Sequence, residues 1–410
     1  MKRRLLNQMA SEWRSNIWLV TELTIVLIVI QFLFGMLFQV YDWQKGRQGY
    51  DLSELYALDV EQLDENSPDY VPSSDRKSSR RDLNVLLSTL SGNPYVEIAA
   101  PIGDNGLPYS LSYWGSTFMI EVADSVYECS ANMRTLSPDA IRAMRIEGIN
   151  GETPDQLAEV LERGEIILCP PDKDYASDPS FDYSEIVGQE TDNDSKRNYR
   201  IGALAHGIRR SDYEPLKDAV AYLPVTGSYD NILVRVKPGR GNDFVESMQD
   251  ERLRVGNMEV VAIRDVSDMR RRVNLKETEL IRNVTVCALF LLLVIFLGFL
   301  GTFWFRTRQR AGEIAIRKVN GATNGDIFRR LIGEGLIMML IATVIATPVL
   351  FLFKPLEMYG EIMRHAVNAS SIVYGIAAAL VVMSLLVVAG VWIPARRATR
   401  IDPAYTLADQ

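Results

Sequence analysis

Charged side chains are missing from four long stretches of this chain: Leu23 to Tyr41, Val284 to Phe305, Gly335 to Phe353 and Ala366 to Ala395, of about 19, 22, 19 and 30 residues. At 1.5 Å rise per residue, roughly 20 helical residues cover the ~30 Å hydrocarbon layer of a bilayer, and a backbone crossing it must satisfy its own hydrogen bonds. The stretches therefore predict four transmembrane helices, placed at residues 17–41, 283–305, 331–353 and 369–394. The first follows Lys2, Arg3 and Arg4, as a signal peptide would. It ends, however, in Phe38, Gln39, Val40, Tyr41, Asp42 and Trp43 rather than in small residues, which fits an interfacial aromatic belt and a retained anchor.

Between these helices lie a cytoplasmic start (1–16), an insertion (42–282), a loop (306–330), a short outer loop (354–368) and a tail (395–410). The start, the loop and the tail hold fourteen Lys and Arg, against Lys354 and Arg364 in the short outer loop. The positive-inside rule then puts both termini in the cytoplasm and residues 42–282 outside. Arg270, Arg271, Arg272, Lys276 and Arg282 oppose this count, but long segments translocate largely regardless of charge. The fold class expected is a membrane protein with four transmembrane α-helices and a large α+β extracytoplasmic domain, of two subdomains, between helices one and two.

Within the insertion, Leu83, Leu86, Leu87 and Leu90 repeat at helical spacing over Arg80 to Ser91. Ser137-Pro138 and Thr153-Pro154 open two further helices, the second running to Arg163 before Gly164. Strands are expected at Tyr95 to Ala99, Glu165 to Leu168, Tyr199 to Ala205, Asn231 to Val236 and Met258 to Ile263. Pro170 to Arg197 reads as loop and a subdomain boundary. From Val266 a polar helix is expected to continue through Asn274 and Lys276 into the second span.

Composition changes the picture only when divided. The net charge of −8 and the 48% hydrophobic content describe an ordinary acidic protein, which argues against nucleic acid as a partner. Split by segment, the charge is +9 on the cytoplasmic side and −15 in the insertion. Catalytic chemistry is sparse. No G-x-x-x-x-G-K-[ST] phosphate loop occurs, His206 and His365 are far apart, and neither H-E-x-x-H nor C-x-x-C is present, so no metal, cofactor or catalytic residue is expected. Cys129 and Cys169 either pair in an oxidising compartment or remain two buried thiols, and Cys287 sits within the second span. Glu22 and Glu334 lie closest to the membrane interior, in the first turns on the cytoplasmic side; a proton relay is one reading and interfacial placement the other.

The cytoplasmic loop carries more information. After Arg306, Arg308 and Arg310 come Glu313, Ile314, Ile316, Arg317, Lys318 and Val319, then Gly321 as a stop and Thr323 as a cap for the third span. This predicts a short amphipathic helix across the cytoplasmic mouth. The tail reads Pro394, Ala395, Arg396, Arg397, Ala398, and further on Asp402, Pro403 and Leu407.

These two segments resemble those of FtsX-like permeases of the MacB type, membrane subunits of mechanotransmitting ABC transporters. The loop pattern R-x-R-E-I-G-I-R-K-A-x-G-A-x-x-x-D-I is matched by Arg310, Glu313, Ile314, Ile316, Arg317, Lys318, Gly321, Ala322, Asp326 and Ile327. The tail pattern P-A-R-R-A-A-x-x-D-P-x-x-A-L is matched by Pro394 to Ala398, Asp402, Pro403 and Leu407. In the insertion, Tyr199 to Ala205 and Asn231 to Pro238 look like strands of that family's periplasmic core domain.

The resemblance implies a non-catalytic, multi-pass inner-membrane subunit without a cofactor. It implies a separate cytoplasmic ABC ATPase as partner, a permease homodimer or heterodimer, and in some systems a periplasmic adaptor. Contact with the ATPase would fall on Glu313, Ile314, Ile316, Arg317, Lys318, Gly321, Ala322, Asp326, Arg396, Arg397, Asp402 and Pro403. Efflux, lipoprotein extraction and activation of an envelope enzyme are all compatible. Two other classes fit the same topology: a stand-alone receptor with a ligand-binding outer domain, and a secondary carrier using Glu22 or Glu334.

Overall fold

In a computed structural model, residues 13–45, 49–68, 70–72, 77–110, 114–122, 125–173, 175–176, 178, 180–193, 198–225, 231–249, 253–309, 311–352 and 369–398 are described. Two compact units emerge: Gly46–Lys276, and Met1–Lys45 together with Glu277–Gln410.

The Gly46–Lys276 unit is organised by an eleven-stranded sheet. Its strands are β1 (Leu55–Gln62), β2 (Val96–Ile102), β3 (Trp114–Val122), β4 (Ser125–Leu136), β5 (Ile166–Cys169), β6 (Glu190–Asn193), β7 (Tyr199–Leu204), β8 (Ala219–Pro224), β9 (Asn231–Val236), β10 (Arg254–Val255) and β11 (Met258–Asp265). They run in the order β10-β11-β1-β9-β2-β4-β3-β6-β7-β5-β8, and β8 also pairs in parallel with β4. That last pairing closes β4-β3-β6-β7-β5-β8 into a ring.

Alternation along the ring's strands turns Phe118, Ile120, Cys129, Ala131, Ile166, Leu168, Ala219 and Ala221 into one shared core. Between Ile166 and Ile167 the β5–β7 register slips by one residue at Gly202. A Cβ at Gly202 would come within 2.4 Å of both Val160 and Glu165, so the slip needs glycine there.

Strand β9 is buried along its whole length because both of its faces are covered. On one face, Ile232, Val234 and Val236 pack with Leu83, Leu86 and Leu90 of α2 (Lys77–Ser91) and with Phe244 of α5 (Gly241–Gln249). Burying each leucine contributes roughly 2 kcal/mol. On the other face, Leu233 joins a core formed with α3 (Pro138–Ala143) and α4 (Pro154–Glu162). Both short helices start as the sequence predicts. Ser137 accepts from the Ala140 N–H, and Thr153 forms a reciprocal capping box with Gln156.

Several elements depart from expectation. Strands β1, β3, β4, β6, β8 and β10 and helix α5 were not legible in the sequence, and the Pro170–Arg197 segment holds a 3₁₀ turn at Tyr183–Ile186 as well as β6. The continuous helix expected through Asn274 is interrupted: α6 (Val266–Val273) stops, and α7 (Leu275–Gln309) starts one residue later. The cause is a side-chain anchor. Asn274 is buried, accepts from the Ser211 hydroxyl (2.9 Å) and the Asp212 N–H (3.1 Å), and donates to the Asp212 carboxylate (2.7 Å). The cysteine alternative resolves as free thiols. Cys129 faces the ring core and Cys169 the opposite core, with β8 lying between their strands. Opposite sides of a sheet leave no route to a bond.

Among the described residues, four helices are long and apolar enough to cross a membrane, over Val20–Tyr41, Leu275–Thr302, Asn324–Val349 and Ser370–Trp392. They belong to α1 (Trp13–Lys45), α7, α9 (Asn324–Leu352) and α10 (Ala369–Ala398). Helices α1, α9 and α10 interlock through Leu23, Leu27, Ile30, Met338, Ala342, Ala379 and Met383. Leu292 and Ile295 of α7 pack against this core, while Leu289, Phe290, Leu293 and Leu297 point away from it.

Candidate functional site

The loop after α7 folds as a helical hairpin whose parts follow from local chemistry. Helix α8 (Ala311–Val319) ends in a Schellman arrangement. The Ala322 N–H donates to the Arg317 carbonyl (3.0 Å) and the Gly321 N–H to the Lys318 carbonyl (3.0 Å). Gly321 takes the left-handed conformation this requires, at φ +88°. Helix α9 then begins with a second reciprocal cap. Asp326 accepts from the Thr323 hydroxyl (2.6 Å) and backbone N–H (3.1 Å), and the Thr323 hydroxyl accepts from the Asp326 N–H (3.2 Å).

Two layers hold α8 on α9. Beneath, Ile314 and Ala315 are buried with Ile327 and Leu331. Above them, the Glu313 carboxylate receives Arg317 of its own helix at 2.7 Å and lies 3.7 Å from Arg330 of α9, which also stands 3.6 Å from Glu334. A cavity of about 80 Å³ between the two helices is lined by these groups together with Ala322 and Asp326. Of the predicted contact residues, the hairpin thus brings together Glu313, Ile314, Arg317, Ala322 and Asp326.

The remaining predicted residues fall elsewhere. Ile316 projects outward, 51% exposed, as does Val319 at 65%, so the apolar residues of α8 divide between an inner and an outer side. Lys318 is half-buried, and Arg396, near the end of α10, is exposed. Phe328 of α9 meets Trp392 of α10 edge to face at 5.0 Å, which ties the base of the hairpin to the last helix. The backbone of α10 includes Arg397; Arg310, Asp402, Pro403 and Leu407 lie outside the described residues, as do Lys354, Arg364 and His365.

Arg330 and Glu334 complete the charge cluster and were not among the predicted contacts. Their i,i+4 spacing, like that of Glu313 and Arg317, was the available signal. Glu334, one of the two carboxylates nearest the membrane interior, is buried and faces Arg330 at 3.6 Å. Glu22 is half-buried, and α7 approaches it so closely that a Cβ on Gly298 would stand 3.1 Å from Oε1.

Four helices long and apolar enough to span a membrane, with a β-rich domain between the first and second and a locked helical hairpin between the second and third, describe a multi-pass membrane protein. Within the membrane segment, residues 285–403 match the FtsX-like permease C-terminal family. Comparison with curated proteins gave no match. Among solved structures, the chain is similar to the extracellular domain of the noncanonic ABC-type transporter YknZ from Gram-positive bacteria. The two are 8% identical with a TM-score of 0.29, over 50% of this chain and 100% of that one. A domain of a Porphyromonas gingivalis protein described as a permease is 14% identical with a TM-score of 0.28, over 52% of this chain and 90% of that one.

Proposed function

We propose that this chain is the permease subunit of an ABC transporter, coupling ATP hydrolysis in a separate cytoplasmic ATPase to movement of its own outer domain. The observation that carries this reading is the locked hairpin. Helix α8 is fixed to α9 by buried Ile314 and by the Glu313–Arg330 contact, yet it leaves Ile316 and Val319 exposed. A short helix held rigidly on one side and apolar on the other is suited to pass a push from a docked protein into the membrane helices. The sequence supplies no phosphate loop of its own, so the nucleotide chemistry belongs to the partner.

In this reading Ile316, with Arg317 and Lys318 beside it, meets the ATPase, and Arg396, Arg397, Asp402 and Pro403 of the tail extend the contact. Glu313, Ile314, Gly321, Ala322 and Asp326 shape and hold the hairpin. The chain works as a permease homodimer or heterodimer in the inner membrane, with both termini in the cytoplasm. Capture of the tagged chain from native membranes, with mass spectrometry of co-purified P-loop proteins, tests the docking. The I316D and V319D variants are expected to lower ATPase recovery at least about tenfold, the scale of losing one well-packed apolar anchor. Undiminished recovery with correctly inserted variants overturns the proposal.

A further inference from the structure

Among the described residues of the Gly46–Lys276 unit, the outer unit of the proposed topology, two arginines are buried, and they are provided for differently. Arg235 on β9, 2% exposed, donates to the backbone carbonyls of Ala143, Asp51 and Ser53 and lies 3.3 Å from the Asp51 carboxylate. Its charge has a counter-charge. Arg134 on β4, 6% exposed, donates to the carbonyls of Leu107 (3.0 Å) and Ile208 (3.4 Å), and among the described residues no carboxylate lies within 4 Å of it. The groups closest to it in electrostatic terms are Tyr222, Tyr50 and Cys169. Burial holds these hydroxyls and this thiol in their neutral forms by pushing their pKa values up. Burial, and Arg210 nearby, work against the charge of Arg134 itself.

A buried guanidinium balanced only by neutral dipoles is costly, and a fold tolerates it where something supplies the missing charge. The surroundings show where that charge would enter. Arg134 lines a cavity of about 170 Å³ on its face of the sheet, together with Asn132, Arg210, Glu214, Lys217 and Asp218. Three cations against two carboxylates leave a single positive charge. The volume falls below that of a drug-sized pocket but exceeds the space needed for a few waters. The planar guanidinium favours a planar two-oxygen acceptor over a spherical anion.

We propose that this cavity binds one carboxylate group, either of a small organic acid or at the end or side chain of a polypeptide, with Arg134 as its principal partner and Arg210 and Lys217 at the rim. The site rests on outer-unit residues alone, so it stands or falls separately from ATPase docking at the hairpin.

The test uses the full-length chain in detergent, titrated calorimetrically with acetate, with a short blocked peptide bearing one free C-terminal carboxylate, with the same peptide as an amide, and with chloride. Saturable binding of a carboxylate form is expected, and none of the amide. R134M should weaken that binding at least about tenfold, as expected for loss of a charge-assisted pair, with R134K retaining part of it. Acetate binding as tightly as the peptide identifies a free small acid as the ligand. A peptide advantage above about tenfold identifies a polypeptide carboxylate. Should R134M fail to fold, the R210Q/K217Q double variant, altered only at the rim, is expected to weaken binding severalfold. The proposal is overturned by the absence of saturable carboxylate binding up to about 10 mM, by equal affinity for chloride, or by folded variants that bind as the unmodified chain does.

Discussion

Asp51 sits where several pieces of the outer unit meet. Its carboxylate accepts from the Ser53 hydroxyl (2.6 Å) and N–H (2.9 Å), and lies 3.1 Å from Arg145 and 3.3 Å from buried Arg235. Burial pushes its pKa upward, but the Ser53 hydrogen bonds and the two arginines outweigh that and hold it below the usual carboxylate range. A carboxyl with a lowered folded pKa contributes stability that is fully present above its unfolded value, near 4, and is lost as pH falls through the folded value. Acid titration of the outer unit's thermal transition should therefore steepen below about pH 4. D51N should flatten that dependence while lowering stability at neutral pH; an unchanged acid limb would show that Asp51 is not its source. Gly321 offers a second single-residue test. Open space surrounds the position, so only the φ of +88° opposes a side chain. G321A should cost about 1 kcal/mol in local hairpin stability and speed hydrogen exchange at the Gly321 and Ala322 amides roughly fivefold.

Among the elements, those with explicit start and stop chemistry were the legible ones. Helix α4 carries Thr153, Pro154, Gln156 and Gly164 in the order that a capped helix requires, and it forms where the sequence placed it. T153A should destabilise the outer unit by about 1 kcal/mol in urea unfolding, and T153S by only a few tenths, because the serine hydroxyl can make the same cap. Strand β4 shows the opposite case. Its inward residues are Cys129, Ala131 and Met133, and its outward ones include Glu128 and Ser130, so the apolar alternation is too weak to read. Strand β8 is short and uniformly apolar from Ala219 to Leu223, a pattern that does not separate strand from buried helix. At Asn274 the local sequence favours helix, and the break is imposed by Ser211 and Asp212, more than sixty positions away in the chain.

At the scale of the whole chain, the four spans were legible because the bilayer demands length and freedom from charge, and both can be counted residue by residue. The hairpin was legible in outline for a related reason: Gly321 and Thr323 act within a few positions of themselves. Its inner lock was not, since nothing local shows that Glu313 reaches across to Arg330 or that Ile314 is buried while Ile316 is exposed. In the outer unit, the pairings of β1 with β9 and β11, of β2 with β9 and of β4 with β8 are long-range and had no local signature.

That long-range pairing also bears on how the chain is made. Strand β1 completes its hydrogen bonds only with β9 and β11, about 170 to 210 positions later, and the ring closes only when β8 reaches β4. In the proposed orientation β1 is the first strand to leave the membrane, and it must wait, with both edges unpaired, for nearly the whole insertion to be translocated. Loop closure over such separations is slow, and unpaired edges invite association with other chains. During biogenesis so oriented, the unit spends its most vulnerable interval tethered by α1 alone, and its yield should depend more on chaperone capacity on that side of the membrane than on the final stability of the sheet.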